Sequence, residues 1–484
     1  MKKLLTFEEI EKLNISEIRK NYKDYISENS IKLLSYFPNG NDLIIKSEGV
    51  YIYTENKKIL DLTGGNGVLG HGHNHPNILK IRREFNKNKK MEVNKLFFSK
   101  YTSALAYNLA KLLPNDLTYS FFPNSGAEAV DGAIKLAYKF HNGKRKYILS
   151  SENAFHGKLI GSGSLSKKNK LFDFQQIQGV LKFEVENLNS IKKLINENKN
   201  NIYAIILEPF SASTLQEIPT KNLLEIKKLA IENNIILIYD EVYTGWAKVG
   251  NLMNFMRNCT NEVNFLNCEK NCLCLNISPD ILILSKTFGG GKSSISAFIT
   301  NKAVYQKAYP SISDFSLHST TYSGFAEEAA TAIEAINIVI NDDYVTKMTT
   351  ISKFMDINLK ELKNKFPNNI KQIHGKDLIR GIEINFDKNN IENNLLSNVG
   401  KLYSESEVRK IIVASYLSYF YSKHNILLGV VEGDQPLIRL SPSNITTQKQ
   451  LDSFFRAANE VFSKSKVSII SKFVTSNLVK ISKK

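Results

Sequence analysis

The sequence predicts an α/β fold in which helices cover both faces of a mostly parallel sheet. The prediction rests on three short apolar runs, IYAIIL (202–207), IILIY (235–239) and ILIL (281–284). Continuous apolar runs of this length are typical of strands buried on both faces. Helical patterns alternate with them between about residues 100 and 300, as expected where helices connect parallel strands. Short strands at 379–386 and 435–443 predict a second, smaller α+β domain.

The elements at the two ends of the chain are of other kinds. Residues 1–45 favour polar helices, and 49–65, GVYIYTENKKILDLTGG, alternates like a β-hairpin. The basic tail 465–484 has apolar residues at helical spacing. We expect it to dock on its own domain or on a partner subunit, and we do not expect it to contact a membrane.

Length and composition are those of a globular protein of two or three domains. The chain has 484 residues, 42% apolar and 23% charged, and no apolar run approaches the roughly 20 residues of a membrane span. Glu8 and Glu9 interrupt the basic start, so we expect no secretory signal and a cytoplasmic protein. The net charge of +17 raises the question of nucleic acid. The lysines are scattered and not interleaved with aromatic residues, so we expect no nucleic-acid partner.

The four cysteines of the chain are clustered. Cys259, Cys268, Cys272 and Cys274 have the spacing C-x8-C-x3-C-x-C. Four thiolates can complete a tetrahedral zinc site, and a disulfide is the other specific role. The spacing is not a standard one and contains no CxxC pair. The sequence therefore predicts no metal and favours a surface loop with reduced cysteines.

An ionisable residue follows each of the three buried runs. Glu208 follows the first, Asp240 ends the second before Glu241, and Lys286 follows the third. Ligands of open α/β sheets bind beyond the carboxyl ends of the strands. A buried ammonium is costly to desolvate, so a lysine at that position needs a special partner.

A predicted helix N-terminus supplies an anion site. Within the stretch 121–140, a predicted helix begins at Ser125, Gly126 and Ala127. Free N–H groups and the helix dipole bind anions there, and glycine allows close backbone approach. An amine, an acid and a phosphate site together match pyridoxal phosphate (PLP), with Lys286 as the Schiff-base lysine and Asp240 keeping the pyridine nitrogen protonated.

Eight stretches together resemble the class III aminotransferases, the ornithine/4-aminobutyrate type of PLP enzyme with fold type I. They are LDLTGGNGVLGHGHNHP (60–76), FFPNSGAEAVDGAIKLA (121–137), AFHGK (154–158), LEPF (207–210), IYDEVYTGWAKVG (238–250), PDILILSKTFGGG (279–291), HSTTYSG (318–324) and IRLSPS (438–443). They occur in the order of the family, and the resemblance extends over about residues 45–460.

The resemblance implies a large domain with a mostly parallel seven-stranded sheet flanked by helices, and a smaller α+β domain. We expect residues 1–75 to contribute to the small domain, 76–335 to form the large PLP-binding domain and 336–464 the C-terminal small domain, before the tail 465–484. The resemblance also implies a homodimer with shared active sites.

The resemblance further implies a role for each site residue. Lys286 would bind the cofactor and carry the proton of the reaction, Asp240 would pair with the pyridine nitrogen, and Glu208 would support that charge. The other cofactor contacts would be Phe155 and Val242 on the two ring faces, His156 beside Phe155, Tyr243 on the ring oxygen, and Ser125, Gly126 and Ala127 at the phosphate. Thr321 would reach the phosphate in the neighbouring subunit, and Arg439 would bind a substrate carboxylate.

Four stretches depart from the pattern of the family, among them residues 323–330, SGFAEEAA, and the long cysteine segment 257–274. Tyr243 stands where glutamine or a small apolar residue is usual, and Phe210-Ser211-Ala212-Ser213 replaces a stretch that holds the gating glutamate of the ornithine and 4-aminobutyrate enzymes. The resemblance therefore does not name the amino donor.

We predict a PLP-dependent aminotransferase that moves an amino group from a small-molecule amine or amino acid to a 2-oxo acid. ω-Amines are among the candidate donors, and 2-oxoglutarate or pyruvate is the kind of acceptor that Arg439 favours. Two alternatives stay open at this point. One is a racemase or aminomutase of the same fold, and the other is a basic scaffold or binding protein without catalysis.

Overall fold

The structure is a computed structural model that describes residues 4–92, 95–114, 116–167, 176–257, 259, 272–386, 404–433 and 435–481. The helices are α1 (Phe7–Ile10), α2 (Ile15–Tyr25), α3 (Glu28–Leu34), α4 (Pro76–Lys87), α5 (Lys100–Leu112), α6 (Gly126–Phe140), α7 (Ile160–Leu165), α8 (Leu188–Glu197), α9 (Thr220–Glu232), α10 (Leu273–Asn276), α11 (Lys302–Ala308), α12 (Ala326–Asn341), α13 (Tyr344–Lys365), α14 (Glu405–His424), α15 (Gln448–Ser463) and α16 (Lys466–Ile481). The strands are β1 (Lys46–Glu48), β2 (Tyr51–Tyr53), β3 (Lys58–Asp61), β4 (Leu117–Phe121), β5 (Tyr147–Ser151), β6 (Val180–Phe183), β7 (Ile202–Leu207), β8 (Phe210–Ser211), β9 (Gln216–Glu217), β10 (Ile236–Asp240), β11 (Ile281–Leu284), β12 (Ala297–Asn301), β13 (Ile370–Lys376), β14 (Ile379–Ile384), β15 (Ile426–Leu427), β16 (Gly429–Val431) and β17 (Leu437–Leu440).

The central sheet has seven strands in the order β4-β12-β11-β10-β7-β5-β6. Its strands are parallel except β12, which pairs antiparallel with both β11 and β4. The predicted fold class, a mostly parallel seven-stranded sheet flanked by helices, is confirmed. The three apolar runs form the neighbouring strands β7, β10 and β11, so their carboxyl ends meet at one edge.

The apolar runs are continuous because both faces of the sheet are covered. In β11, Ile281 and Ile283 belong to one apolar core, whereas Leu282 and Leu284 belong to the other. Successive residues of a strand point to opposite faces, so a strand packed on both sides needs an apolar residue at every position. The apolar face of α6 packs on the Ile281 side and helps to seal it.

The described residues form two smaller four-stranded sheets and a two-stranded sheet of β8 and β9. One four-stranded sheet has the strand order β1-β2-β3-β15. It contains the predicted hairpin of β2 and β3, and β15 pairs with β3 in parallel. This pairing joins the N-terminal part of the chain to a strand more than 360 residues later, as Leu60 faces Ile426. The other four-stranded sheet has the antiparallel order β13-β14-β17-β16 and contains both predicted C-terminal strands.

The tail helix α16 packs against α14 of the same chain. Ile469, Ile470 and Phe473 are buried, and the amide of Asn477 donates to the carbonyl of Tyr36 at 3.2 Å. The tail therefore docks on its own chain, which is one of the two partners predicted for it. Within the described residues, we find no helix with the length and apolar character that crossing a bilayer requires.

Candidate functional site

The three charged residues predicted from the strand ends lie in one cavity. Because β7, β10 and β11 are parallel neighbours, Glu208, Asp240 and Lys286 reach the same edge of the sheet. All three line a cavity of about 820 Å³. That volume is in the range of sites for cofactors and small ligands.

Asp240 is held by two contacts at the base of the cavity. Its Oδ2 lies 2.8 Å from His156 Nδ1, and its Oδ1 accepts from the Val242 N–H at 3.0 Å. Both side chains of the first pair are buried. An ionised carboxylate has about four acceptor positions, so Asp240 retains capacity for a donor in the cavity.

Glu208 lies beside this pair, and its carboxyl group is only partly ionised at neutral pH. Its Oε2 accepts from the Phe155 N–H at 3.0 Å. Burial raises the pKa of Glu208 to about 7, because the charged carboxylate loses water. Nearby Asp240 raises the pKa further, whereas His156 and Lys286 oppose the rise. Glu208 can therefore donate or accept a proton near neutral pH.

Lys286 begins a 3-10 turn directly after β11, in the left-handed backbone region with a φ of 53°. This conformation is uncommon for a residue with a side chain and is frequent at functional sites. The Lys286 Nζ lies 4.0 Å from the centre of the Tyr243 ring. Burial lowers the pKa of Lys286 to about 8; Arg439 acts in the same direction, and Asp240 and Glu208 oppose it.

The N-terminus of α6 opens onto the same cavity. Ser125 caps the helix, since its Oγ accepts from the Glu128 N–H and the Glu128 carboxylate accepts from the Ser125 N–H. Gly126 and Ala127 line the cavity, whereas the exposed Ser125 is not among its lining residues. A Cβ on Gly126 would lie 3.3 Å from both methyl carbons of Val242. The absence of a side chain at Gly126 therefore lets the N-terminus of α6 pack closely against Val242.

The remaining cavity walls suit a flat aromatic group. Phe155 is 42% exposed and lines the cavity, as does Val242. The Nε2 of His156 is buried and, within the described residues, has no hydrogen-bond partner. A buried polar atom without a partner, apolar walls, an anion site, an acid and an amine fit PLP.

Arg439 lies on β17 at another wall of the cavity. Its Nη2 donates to Asn66 Oδ1, and its Cζ lies 5.9 Å from the centre of the Tyr243 ring. The buried Nε finds no acceptor in the part of the chain that the structure describes. The Tyr243 hydroxyl donates to Ser441 Oγ at 2.9 Å. Tyr243 thus lines the cavity with its ring, and its hydroxyl already has an acceptor.

Among the predicted cofactor residues, Ser125 and Thr321 are the two that do not line the cavity. Thr321 is exposed, in a turn that is held by Thr320, whose Oγ1 donates to Asn124 Oδ1 at 2.7 Å.

Of the four cysteines, Cys259, Cys272 and Cys274 lie together and away from this cavity. Cys268 lies outside the described residues.

Three residues near the site were not predicted from the sequence. Asn66 orients Arg439, Ser441 accepts from Tyr243, and the Nζ of Lys248 donates to the carbonyls of Ser441 and Pro442. Burial lowers the pKa of Lys248 to about 7. The signal in the sequence was a lysine within the otherwise apolar stretch WAKVG, and an asparagine between the glycines of GGNG.

Comparisons with known proteins show the family of this chain and its fold. The family model described as Aminotransferase class-III matches residues 37–462. An ornithine aminotransferase from Toxoplasma gondii ME49 has a similar structure, with a TM-score of 0.75 and 20% identity over 95% of this chain and 98% of that one. An (S)-enantioselective omega-transaminase from Thermomicrobium roseum gives a TM-score of 0.77 and 20% identity over 93% and 99% of the two chains. A transaminase from the marine bacterium Virgibacillus gives 0.74 and 18% identity over 89% and 94%.

Proposed function

This chain belongs to the class-III aminotransferase family, and from that premise we propose which of its residues carry the reaction and which substrates they accept. The chain is a PLP-dependent enzyme that transfers an amino group between an amine and a keto acid. When bound, PLP supplies an aldehyde that takes up the amino group and a ring that withdraws electrons from the reacting carbon.

Lys286 holds the cofactor and carries the proton. Its Nζ is the amine that would attach to the aldehyde of PLP, and after release it would move the proton between the two reacting carbons. Burial supports both tasks, because a pKa of about 8 leaves a larger neutral fraction than that of an exposed lysine. The backbone after β11 presents the amine to the cavity.

Asp240 would pair with the pyridine nitrogen of bound PLP, and His156 fixes the orientation of the carboxylate. The 2.8 Å contact between His156 Nδ1 and Asp240 Oδ2 supports this role. Glu208 lies close by and adjusts the local charge. Phe155 and Val242 would hold the two faces of the ring, and the N–H groups of Gly126 and Ala127 would bind the phosphate, since all four residues line the cavity. Tyr243 packs against Lys286.

Arg439 binds the carboxylate of the 2-oxo acid. Asn66 holds one guanidinium nitrogen, and Arg439 lines the cavity, so the guanidinium can meet a substrate carboxylate there. A bidentate arginine–carboxylate pair is both strong and directional. The observation that carries the whole proposal is that Lys286, Asp240 and Arg439 line one cavity.

The amino donor we propose is an ω-amine, namely a diamine or an ω-amino acid. Leu34, Phe37, Leu417, Leu428 and Val430 line the cavity together with Lys286. Such a lining suits the methylene chain of a donor whose amine reaches Lys286. Ala212 and Ser213 also line the cavity, in the stretch that departs from the gating glutamate of ornithine and 4-aminobutyrate enzymes.

The active unit we propose is a homodimer in which Thr321 contacts the cofactor phosphate of the partner subunit. Thr321 is exposed, as this role requires. The consecutive residues Leu96, Phe97 and Phe98 are 90%, 64% and 106% exposed, and the preceding Lys95 donates to the carbonyl of Thr320. Large apolar residues exposed near one another mark protein–protein interfaces.

A half-reaction screen tests the donor. Purified holoenzyme receives one amine at a time without a keto acid, while the visible absorption of the cofactor is followed. We expect diamines or ω-amino acids to convert the aldehyde form of the cofactor to the amine form, and Lys286→Ala to abolish the conversion. A response to α-amino acids alone would contradict an ω-amine donor. Failure of the wild-type protein to bind PLP would contradict the assignment of the site.

A further inference from the structure

Three buried cysteines converge in the connection between β10 and β11. Cys259 follows a short 3-10 turn at Asn254–Met256, whereas Cys272 and Cys274 lie at the beginning of α10. Their exposed fractions are 6%, 5% and 0%. Two segments of the connection, 13 residues apart between Cys259 and Cys272, therefore bring their thiols to one point.

The three sulfurs have the spacing of metal ligands. The Sγ–Sγ distances are 3.1 Å for Cys272–Cys274, 3.5 Å for Cys259–Cys274 and 3.6 Å for Cys259–Cys272. A disulfide needs about 2.05 Å. Sulfurs at about 2.3 Å from a tetrahedral zinc ion lie about 3.8 Å apart. All three pairs are far beyond the bonded distance, and they lie about 0.2 to 0.7 Å inside the distance expected around zinc, so the thiols need to move apart only by that amount to hold an ion.

Simple burial does not account for this arrangement. A buried thiol behaves as a small apolar residue and packs wherever such a residue fits. The chain has only four cysteines, all between residues 259 and 274, and three of them contact one another. The cores around the central sheet contain none of these three. Mutual contact of the sulfurs is a requirement of a metal site and not of an apolar core.

We propose that Cys259, Cys272 and Cys274 bind a thiophilic divalent metal ion, of which zinc is the best match, as a structural site. The three thiolates supply three of the four ligands of a tetrahedral ion. Binding displaces the three thiol protons to solvent, and the positive ion offsets the repulsion between the thiolates.

The site holds together the two ends of the connection that leads from Asp240 to Lys286. At one end, the N–H groups of Asn254 and Phe255 donate to the Glu241 carboxylate at 2.7 and 2.8 Å. At the other end, the Ser278 hydroxyl donates to the Cys274 carbonyl at 2.8 Å just before β11. The cysteines do not line the candidate active site, so the ion stabilises this segment and takes no part in the transfer.

Metal analysis of the holoenzyme tests the proposal. We expect about one zinc ion per chain in protein purified under reducing conditions without a chelator, by mass spectrometric metal analysis. Cys259→Ser and Cys274→Ser should each lower the content far below one, while Ser278→Ala, which loosens the same segment but keeps every thiol, should retain it. Full metal content in both cysteine variants would overturn the proposal.

Wild-type protein gives a second measurement that does not depend on how the variants fold. Cobalt(II) should replace zinc and give the visible ligand-field absorption of tetrahedral thiolate coordination, at longer wavelengths than the cofactor absorbs. Chelation of the ion should lower the melting temperature and leave the cofactor spectrum unchanged. Folded, reduced wild-type protein that binds neither ion stoichiometrically would overturn the proposal. So would a disulfide between two of the three cysteines in the freshly purified, metal-free protein.

Discussion

His156 Nδ1 and Asp240 Oδ2 lie 2.8 Å apart and are both buried, although 84 residues separate them in the chain. The imidazole comes from the loop after β5 and the carboxylate from the end of β10. A carboxylate held at one oxygen by a buried ring, and at the other by the Val242 N–H, cannot rotate away from the cavity. The pair therefore fixes where a cationic ring nitrogen of the cofactor would be stabilised.

Replacing either member of this pair tests its role. Asp240→Asn should lower kcat about 100-fold or more, since breaking one buried charge interaction costs roughly 3 kcal/mol. His156→Asn should lower it less, because the carboxylate remains but loses its orientation. Steady-state kinetics of the two single variants and the double variant measure the coupling. Additive losses would show that His156 does not act through Asp240.

The depressed pKa of Lys286 predicts how cofactor incorporation depends on pH. The neutral amine reacts with PLP, and it becomes the main form as pH rises through about 8 instead of above 10. The rate at which apoenzyme takes up PLP should therefore rise with pH and level off above about 8. Stopped-flow absorbance measures this rate. A midpoint near that of a free lysine would contradict the effect of burial.

Gly126 should be sensitive to a single added methyl group. Gly126→Ala places a Cβ 3.3 Å from both methyl carbons of Val242, so the helix end must shift. Overpacking of about 1–2 kcal/mol should weaken PLP binding roughly 10-fold. Gly126→Ala with Val242→Ala should recover part of the affinity, as measured by cofactor titration of the apoenzyme. Unchanged affinity in the single variant would place the phosphate elsewhere.

Arg439→Lys should separate the two half-reactions. Lysine keeps the charge but loses the two-pronged geometry, so the KM for the 2-oxo acid should rise about 10- to 100-fold. The half-reaction with a diamine, which has no carboxylate, should be nearly unchanged. Arg409→Lys, an arginine paired with Glu405 outside the cavity, is the matched control. Equal losses with both kinds of substrate would argue against a carboxylate contact.

Mixed dimers test whether Thr321 serves the partner subunit. Lys286→Ala and Thr321→Glu should each inactivate the homodimer, the second because a carboxylate would repel the phosphate. Mixing and reassembly of the two variants should restore activity, since one site of each hybrid then combines an intact Lys286 with an intact Thr321. Absence of any recovery from a hybrid dimer isolated by dual tags would contradict a shared site.

The sequence by itself determined the secondary structure around the site and its chemical content. The buried strands β7, β10 and β11 were evident because a strand covered on both faces is apolar at every position. The α6 N-terminus was evident from its Asn-Ser-Gly start and the apolar stripe that follows. These are local patterns, and the charged residue after each strand is a neighbour in the chain.

Only the tertiary structure decided which distant side chains meet. Three contacts illustrate this: the Asn66–Arg439 hydrogen bond, the Tyr243–Ser441 hydrogen bond and the convergence of three cysteines. Each joins segments that are distant in the sequence. Propensity and periodicity describe one element at a time, whereas these contacts depend on the strand order β4-β12-β11-β10-β7-β5-β6 and on the packing between sheets. For the same reason the spacing of the cysteines favoured a plain reduced loop, and only the distances between the sulfurs gave reason to propose a metal site.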